Sequence, residues 1–455
     1  MIVGYCALRE NIRIYFLVLA SLFFYAWGER AYVLVMLLSI AINYVFGLLI
    51  HLVAPEARAY HLRKIFLFLA IAGNLGILFY FKYLNFTLEG ISSLLHEDYV
   101  YKDIALPIGI SFFTFQGMSY IIDLYFKRVK VQKNPAYVAF YISFFPQLMA
   151  GPIVRYSQIA DQIYAREESF EKFSAGAKRF ILGLSKKVII ANTLGYVADQ
   201  VFANPAVENT AATAWLGILC YTFQIFFDFS GYSDMAIGIG KMFGFVFPEN
   251  FNYPYISKTI TEFWRRWHMS LSSWFRDYLY IPLGGNRSGN VYANLLIVFA
   301  VTGFWHGASF SFVFWGLWHG LFLMIERVSK SRVVEKRRLI PLRYVATMAI
   351  VIVGWVFFRV EELPEAMRYV GIMFGLVRPE NDFTALYYIN NKMIVALIIA
   401  IIASTPMLKE ARFLEKIRHS AIAGYASSAM HLALFFVCIV FVVSSSYNPF
   451  IYFRF

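Results

Sequence analysis

The sequence of 455 residues is 60% hydrophobic and 19% aromatic with only 15% charged residues, against about 25% charged in ordinary soluble domains. That composition excludes a soluble enzyme and describes a polytopic membrane protein. The net charge of +13 would suit a nucleic-acid binder, but in so apolar a chain the basic residues belong to inward-facing loops, so no nucleic acid partner is expected.

Apolar segments recur from end to end without a long polar linker, so residues 1–455 read as a single all-α integral membrane domain. Met1 to Ala7 is too short to cross, and no signal-peptide cleavage site precedes the first span. Residues 13–28 and 32–53 are apolar runs parted by Glu29 and Arg30, which predicts a helical hairpin across a core of about 30 Å. Arg9, Arg13, Arg58, Arg63 and Lys64 flank that pair on the side expected to be cytoplasmic. A third run, 65–87, ends near Glu89, Glu97, Asp98 and Asp103, and a fourth, 104–126, returns to Lys127, Arg128, Lys130 and Lys133.

Residues 137–154 carry Pro146, Gln147, Gly151 and Pro152 close together, which predicts a broken or re-entrant segment buried in protein. Residues 171–200 set Lys178, Arg179, Lys186 and Lys187 among apolar residues at helical spacing. That pattern predicts a helix lying on the inner membrane surface. In the run 211–246, Asp228, Ser230, Gly231, Tyr232, Ser233 and Asp234 separate two apolar stretches. Two carboxylates six residues apart suit acid and base work; a turn between half-helices would instead make them structural acceptors.

Thr261 to Tyr280 holds Glu262, Arg265, Arg266, His268, Arg276 and Asp277 among Phe263, Trp264, Trp267, Trp274, Phe275 and Tyr278, a polar group in an interfacial belt. After Pro282 to Asn286 come two apolar runs, one ending at Trp305 and His306, the other at Trp318 and His319. Val291 to Trp305 rises only about 22 Å as a helix, so His306 should stop inside the membrane, where an ionisable group is costly enough to imply a function. His319 reads as structural. The basic stretch Arg327 to Arg343 returns to the cytoplasmic side, and residues 342–360, 391–408 and 428–446 complete about nine to eleven spans and re-entrant elements around a central passage. The tail Tyr447 to Phe455 is then extracytoplasmic. Cys6, Cys220 and Cys438 are widely separated, indicating neither a zinc site nor a disulfide framework. P-loop and Gly-x-Ser-x-Gly signals are absent.

The stretch Phe263, Trp264, Arg265, Arg266, Trp267, His268, with Arg276, Asp277, Tyr278 and then Phe304, Trp305, His306, Gly307, resembles the signature of the membrane-bound O-acyltransferases. Leu106 to Phe112, Ala150 to Pro152, Phe227 to Asp234 and Pro449 to Phe453 add to the likeness, which covers nearly the whole chain and points to the branch serving alginate O-acetylation. That pattern begins with an apolar half-helix, of which only a stub stands before Arg9. The resemblance implies transfer of an acyl group, acetyl in the first instance, from a cytoplasmic thioester such as acetyl-CoA to an exopolysaccharide. It also implies the bacterial inner membrane, an extracytoplasmic serine-esterase-like partner, no permanently bound cofactor, no metal, His306 as catalytic histidine and His268 as a second polar site.

Arg265, Arg266, Arg276 and Arg287 stand where a diphosphate-bearing donor would approach, since guanidinium suits phosphate geometry; lipid headgroups are the other reading. Tyr452 is the only nucleophilic side chain from Pro449 to Phe455, and a tyrosine hydroxyl can carry an acyl intermediate when a base activates it. Two other functions use related features: D-alanyl transfer to teichoic acid from a carrier protein, and transport of a lipid or glycan, against which the lack of an inverted repeat counts.

Overall fold

The computed structural model describes residues 1–53, 60–96, 104–149, 151–204, 209–330, 340–379, 384–407 and 421–451. Tyr452 lies outside the described residues, as do Arg58, Asp98, Asp103, Ala150 and the basic stretches 331–339 and 409–418. The architecture is all-α, with no β-strand among the described residues. Six helical stretches there are long and apolar enough to cross a membrane, and Val291–His306 and Asn391–Ala403 are shorter apolar helices. These helices build a multi-pass membrane protein. The chain sorts into two compact units, Met1–Gly176 with Ile239–Pro248 and Ala177–Gly238 with Glu249–Phe455.

The first unit starts with α1 (Ile2–Ala7), α2 (Glu10–Glu29), α3 (Val33–Leu52) and α4 (Tyr60–Leu78). The turn between α2 and α3 places Arg30 in the left-handed region at φ 46°. α3 packs against α4 and against α6 (Ile110–Tyr125). At that junction Asn43 and Asn74 exchange amide hydrogen bonds of 3.0 and 3.1 Å and also donate to Ser39 O and Ala70 O. In helices without water, such reciprocal amides hold two backbones together. The third apolar run continues from α4 through a π-turn at Phe79–Tyr83 into α5 (Leu84–Leu95).

The fourth run is helical only from Ile110, six residues later than expected. Pro107 precedes the left-handed Gly109 (φ 77°), where any Cβ would lie 2.6 Å from Leu148 O. The expected break is present: α7 (Pro135–Ser143) stops, and a single turn, α8 (Phe145–Leu148), follows. Phe140, Tyr141 and Phe144 are fully buried there, so the interruption is covered by protein as irregular backbone at membrane depth requires. α9 (Tyr156–Tyr164) follows.

Next come α10 (Phe170–Ser185), a π-turn at Lys186–Ala191, α11 (Asn192–Ala203) and α12 (Ala211–Met242). Two expectations are corrected here. The 171–200 segment, expected to lie on the inner membrane surface, belongs to a stretch, Phe170–Ala203, long and apolar enough to cross, and its Lys186 and Lys187 reach Asp234 and Asp228 of α12, each at 2.6 Å. The π-turn shifts the angular register, as an inserted residue must. Nor does α12 break at Ser230 and Gly231: it runs unbroken for 32 residues. Gly231 serves a close crossing instead, since its Cβ would lie 2.7 Å from Gly183 O, and that of Gly183 2.5 Å from Gly231 O.

The second unit continues with α13 (Ile260–Arg266), α14 (Met269–Phe275), α15 (Val291–His306), α16 (Phe310–Lys330), α17 (Ile340–Arg359), α18 (Leu363–Met373), α19 (Asn391–Ala403) and α20 (Ala421–Ser444). α15 and α16 form a tight antiparallel pair on glycine seams. A Cβ at Gly303 would sit 2.2 Å from Phe312 O, and one at Gly316 2.1 Å from Phe299 O. Both obstacles are backbone and cannot swing aside. Gly316→Ala should therefore destabilise the protein by about 1–3 kcal/mol or more, whereas Gly76→Ala, which meets nothing within 4 Å, should be tolerated. Thermal unfolding of the two purified variants in one detergent checks this, and equal midpoints would refute the seam.

Candidate functional site

α13 begins on a side-chain cap: Thr259 Oγ1 accepts from Glu262 N at 3.0 Å, and Glu262 reaches back to Lys258 N at 2.9 Å and forward to Arg266 at 3.0 Å. Between α13 and α14 the chain turns sharply at His268, which takes a left-handed conformation (φ 41°) and is fully buried. Its Nδ1 lies 3.1 Å from Asn250 Oδ1. The same Oδ1 accepts from Ser270 N at 3.2 Å. A backbone N–H can only donate, so the amide oxygen faces the imidazole, Nδ1 carries the proton and Nε2 keeps its lone pair. Nε2 is buried and has no hydrogen-bond partner among the described residues. The loop thus holds an imidazole in one tautomer with a basic nitrogen in reserve.

His306 is the last residue of α15, 3% exposed. Its ring meets Trp305, Trp315 and Phe358 at centroid distances of 4.9, 5.1 and 5.1 Å. Gly307 ends the helix, and a Cβ there would lie 2.2 Å from the Phe312 ring. At about 1.5 Å per residue, the sixteen residues of α15 span about 24 Å, short of the hydrocarbon thickness. His319, one helix on, also packs on Trp315, at 5.3 Å, and stacks with Phe263 at 6.2 Å. The structure therefore gathers His306 and His319 around one indole. His268 occupies its own polar recess, joined to the His306 wall by the aromatic series Trp267, Trp355, Phe358, whose ring centroids lie 4.9 and 5.5 Å apart.

The arginines are not gathered in the same way. Arg266 is engaged by Glu262 and by Asn252 O at 3.0 Å, and Arg276 is bound to Asp277 at 2.7 Å. Arg265 and Arg287 are exposed, and neither has a carboxylate partner among the described residues.

The tail enters the second unit through contacts that sequence reasoning missed. Lys187, paired with the buried Asp228 at 2.6 Å, donates to Pro449 O, and Asp228 Oδ2 accepts from Ile451 N at 2.9 Å. Asn192 donates to Asn448 Oδ1 at 2.7 Å, and Tyr447 donates to Asp199, itself paired with Arg359 at 2.7 Å. Phe450 packs on Tyr232 at 5.0 Å. Ile451 joins the core cluster that includes Phe358, and Phe358 lines a small pocket together with Pro449, Phe450 and Ile451. The two α12 carboxylates are thus separate ion-pair acceptors, Asp228 for the tail and Asp234 for Lys186 and Arg179, at 2.6 and 2.8 Å. Asn250 gave no signal beyond its polarity; Lys187 and Asp228 were visible only as charges in apolar runs.

A family model described as the membrane-bound O-acyltransferase family matches residues 127–360. The chain is 40% identical to the probable alginate O-acetylase AlgI of Pseudomonas putida over 98% of this chain and 95% of that one. It is 38% identical to the peptidoglycan O-acetyltransferase of Helicobacter pylori, covering 79% of this chain and 73% of the relative. With the teichoic acid D-alanyltransferase of Bacillus subtilis the identity is 32%, covering 54% and 65% respectively. Matched over half its length by the family model and nearly end to end by a relative, and holding a buried histidine where its apolar helix pair turns, the chain belongs to the membrane-bound O-acyltransferase family and is an O-acyltransferase.

Proposed function

We propose that the protein moves an acetyl group from a cytoplasmic thioester, acetyl-CoA in the first instance, to a polysaccharide outside the bacterial inner membrane, with His306 as the base. The observation that carries this reading is that Phe358 belongs both to the aromatic wall of His306 and to the wall of a small pocket that Pro449, Phe450 and Ile451 also line. Tyr452 is the next residue in the sequence after Ile451. The proposed step balances simply. His306 takes the Tyr452 hydroxyl proton, the phenolate oxygen bonds to the thioester carbonyl carbon, the carbon–sulfur bond breaks, and the proton passes to the departing thiolate. The acetyl-tyrosine then gives its acyl group to an extracytoplasmic serine-esterase-like partner, so the donor itself never crosses. Burial favours this chemistry because water would otherwise hydrolyse the ester.

Acetyl is preferred over D-alanyl because the relatives named for O-acetylation match at 38–40% over 79–98% of this chain, while the D-alanyltransferase matches at 32% over 54%. The donor phosphates are assigned to Arg265, whose guanidinium is exposed, ahead of Arg266 and Arg276, which already hold Glu262 and Asp277. His268, locked by Asn250, is the second proton-handling group. No resident cofactor or metal enters the scheme, and the C-terminus is extracytoplasmic.

His306→Ala should lower acetyl-CoA turnover by the purified protein about a hundredfold to ten-thousandfold while its unfolding midpoint stays near that of the unchanged protein, and His268→Ala should lower it strongly. Near-normal turnover by folded His306→Ala protein would remove His306 from the mechanism. Tyr452→Phe keeps the ring and deletes only the oxygen, so polysaccharide acetylation in cells should cease; acetylation at the usual rate would make the tail an anchor. Asp228→Asn weakens the hold on the tail without touching His306. It should reduce acetylation of polysaccharide at least tenfold and leave acetyl-CoA binding intact, and equal loss of both would mean that Asp228 supports the fold alone.

A further inference from the structure

His51, Arg63, Lys127, Lys130 and Lys133 line a cavity of about 520 Å³ in the first unit, and no carboxylate lines it. Its floor is apolar, with Ile50 and Leu124 buried beneath it. Both the lining and the absence of a carboxylate there are those of the described residues, and none of the five basic groups has a carboxylate partner among them; the nearby Asp123 is bound to Arg128 at 3.2 Å. Arg63 is the most telling. Its Nη2 donates to Tyr125 O at 3.3 Å and its guanidinium lies 5.5 Å over the Tyr125 ring, while Nε is buried without a hydrogen-bond partner among the described residues. Lys127 holds a left-handed backbone (φ 57°) at the end of α6, where glycine or asparagine would be cheaper.

Like charges gathered round one cavity repel, so something must offset them. α3 and α6 both end here, and each helix C-terminus contributes roughly half a negative charge, about one in total. Against that stand Arg63 and three lysines, before His51 is counted. A surplus of about three positive charges remains over an apolar floor.

We propose that this cavity binds a phosphate ester, its phosphate held by Arg63 and the lysines and its less polar part resting on Ile50 and Leu124. Guanidinium and ammonium groups together suit a phosphate better than a carboxylate of single charge. Two sources share that chemistry, the headgroup of an anionic phospholipid and a soluble phosphorylated nucleotide. This inference does not depend on the acyl-transfer scheme.

The test uses the purified full chain in a neutral detergent, titrated with short-chain phosphatidylglycerol, with diacylglycerol of the same chain length and with adenosine 3′,5′-bisphosphate, reading the unfolding midpoint. A saturable rise with phosphatidylglycerol alone identifies the lipid, and one with the bisphosphate alone identifies the soluble ester. Lys127→Gln/Lys130→Gln/Lys133→Gln should weaken the effective ligand at least tenfold without lowering the unliganded midpoint. Raising salt from about 50 mM to about 500 mM should weaken binding to the unchanged protein in the same direction, which decides the matter should the triple variant fail to fold. An equal response to diacylglycerol, no response to either phosphate, or wild-type affinity in the folded triple variant overturns the proposal.

Discussion

The second unit turns on one buried ion pair. Taking a lysine and a carboxylate out of water costs several kcal/mol each, and the attraction between them only roughly repays it. Replacing both with well-packed apolar residues would serve stability as well. What apolar residues could not supply is the further bonding that Lys187 and Asp228 perform, one giving a hydrogen to Pro449 O and the other receiving one from Ile451 N. The pair joins the π-turn after α10, the middle of α12 and the extended tail at one point. Removing either partner would strand a charge in an apolar interior, which typically costs about 3–5 kcal/mol.

The same rule, that no polar group is buried without a reason, separates the histidines. His268 has its proton fixed by Asn250, whose own oxygen is fixed by the Ser270 backbone. His306 sits among aromatic rings at the end of a helix too short to span. His319 is buried in rings beside Trp315, both its nitrogens lacking hydrogen-bond partners among the described residues. The His306 ring differs in sharing a neighbour, Phe358, with the pocket that Pro449, Phe450 and Ile451 line.

Much of this was legible from residue order. The apolar runs located the helices, the prolines at 146 and 152 announced a broken buried segment, and the short apolar run before His306 is the helix α15 that ends on that buried histidine. The errors have physical causes. Gly231 among Ser230, Ser233 and Asp234 reads as a turn because glycine has two uses, freedom of φ and absence of a Cβ, and only the partner, Gly183, tells which applies. Lys186 and Lys187 read as part of a helix on the inner membrane surface because a single sequence does not show the carboxylates more than forty positions away that claim them. Asn250 escaped notice because its role depends entirely on a loop folding back over it.

The separation of Lys187 from Pro449, 262 positions, sets an order on the making of this protein. At roughly 5–20 residues per second of synthesis, the tail emerges about 13–50 s after the lysine has entered its helix. Asp228 arrives within about ten seconds, so the ion pair can form early and shelter both charges. The surroundings of Ile451 are complete only once Phe358 and Arg359 of α17 have been made, and Pro449 follows Arg359 by 90 positions, roughly 5–20 s of synthesis. The last part of the chain to arrive is thus the one that the early ion pair is placed to receive.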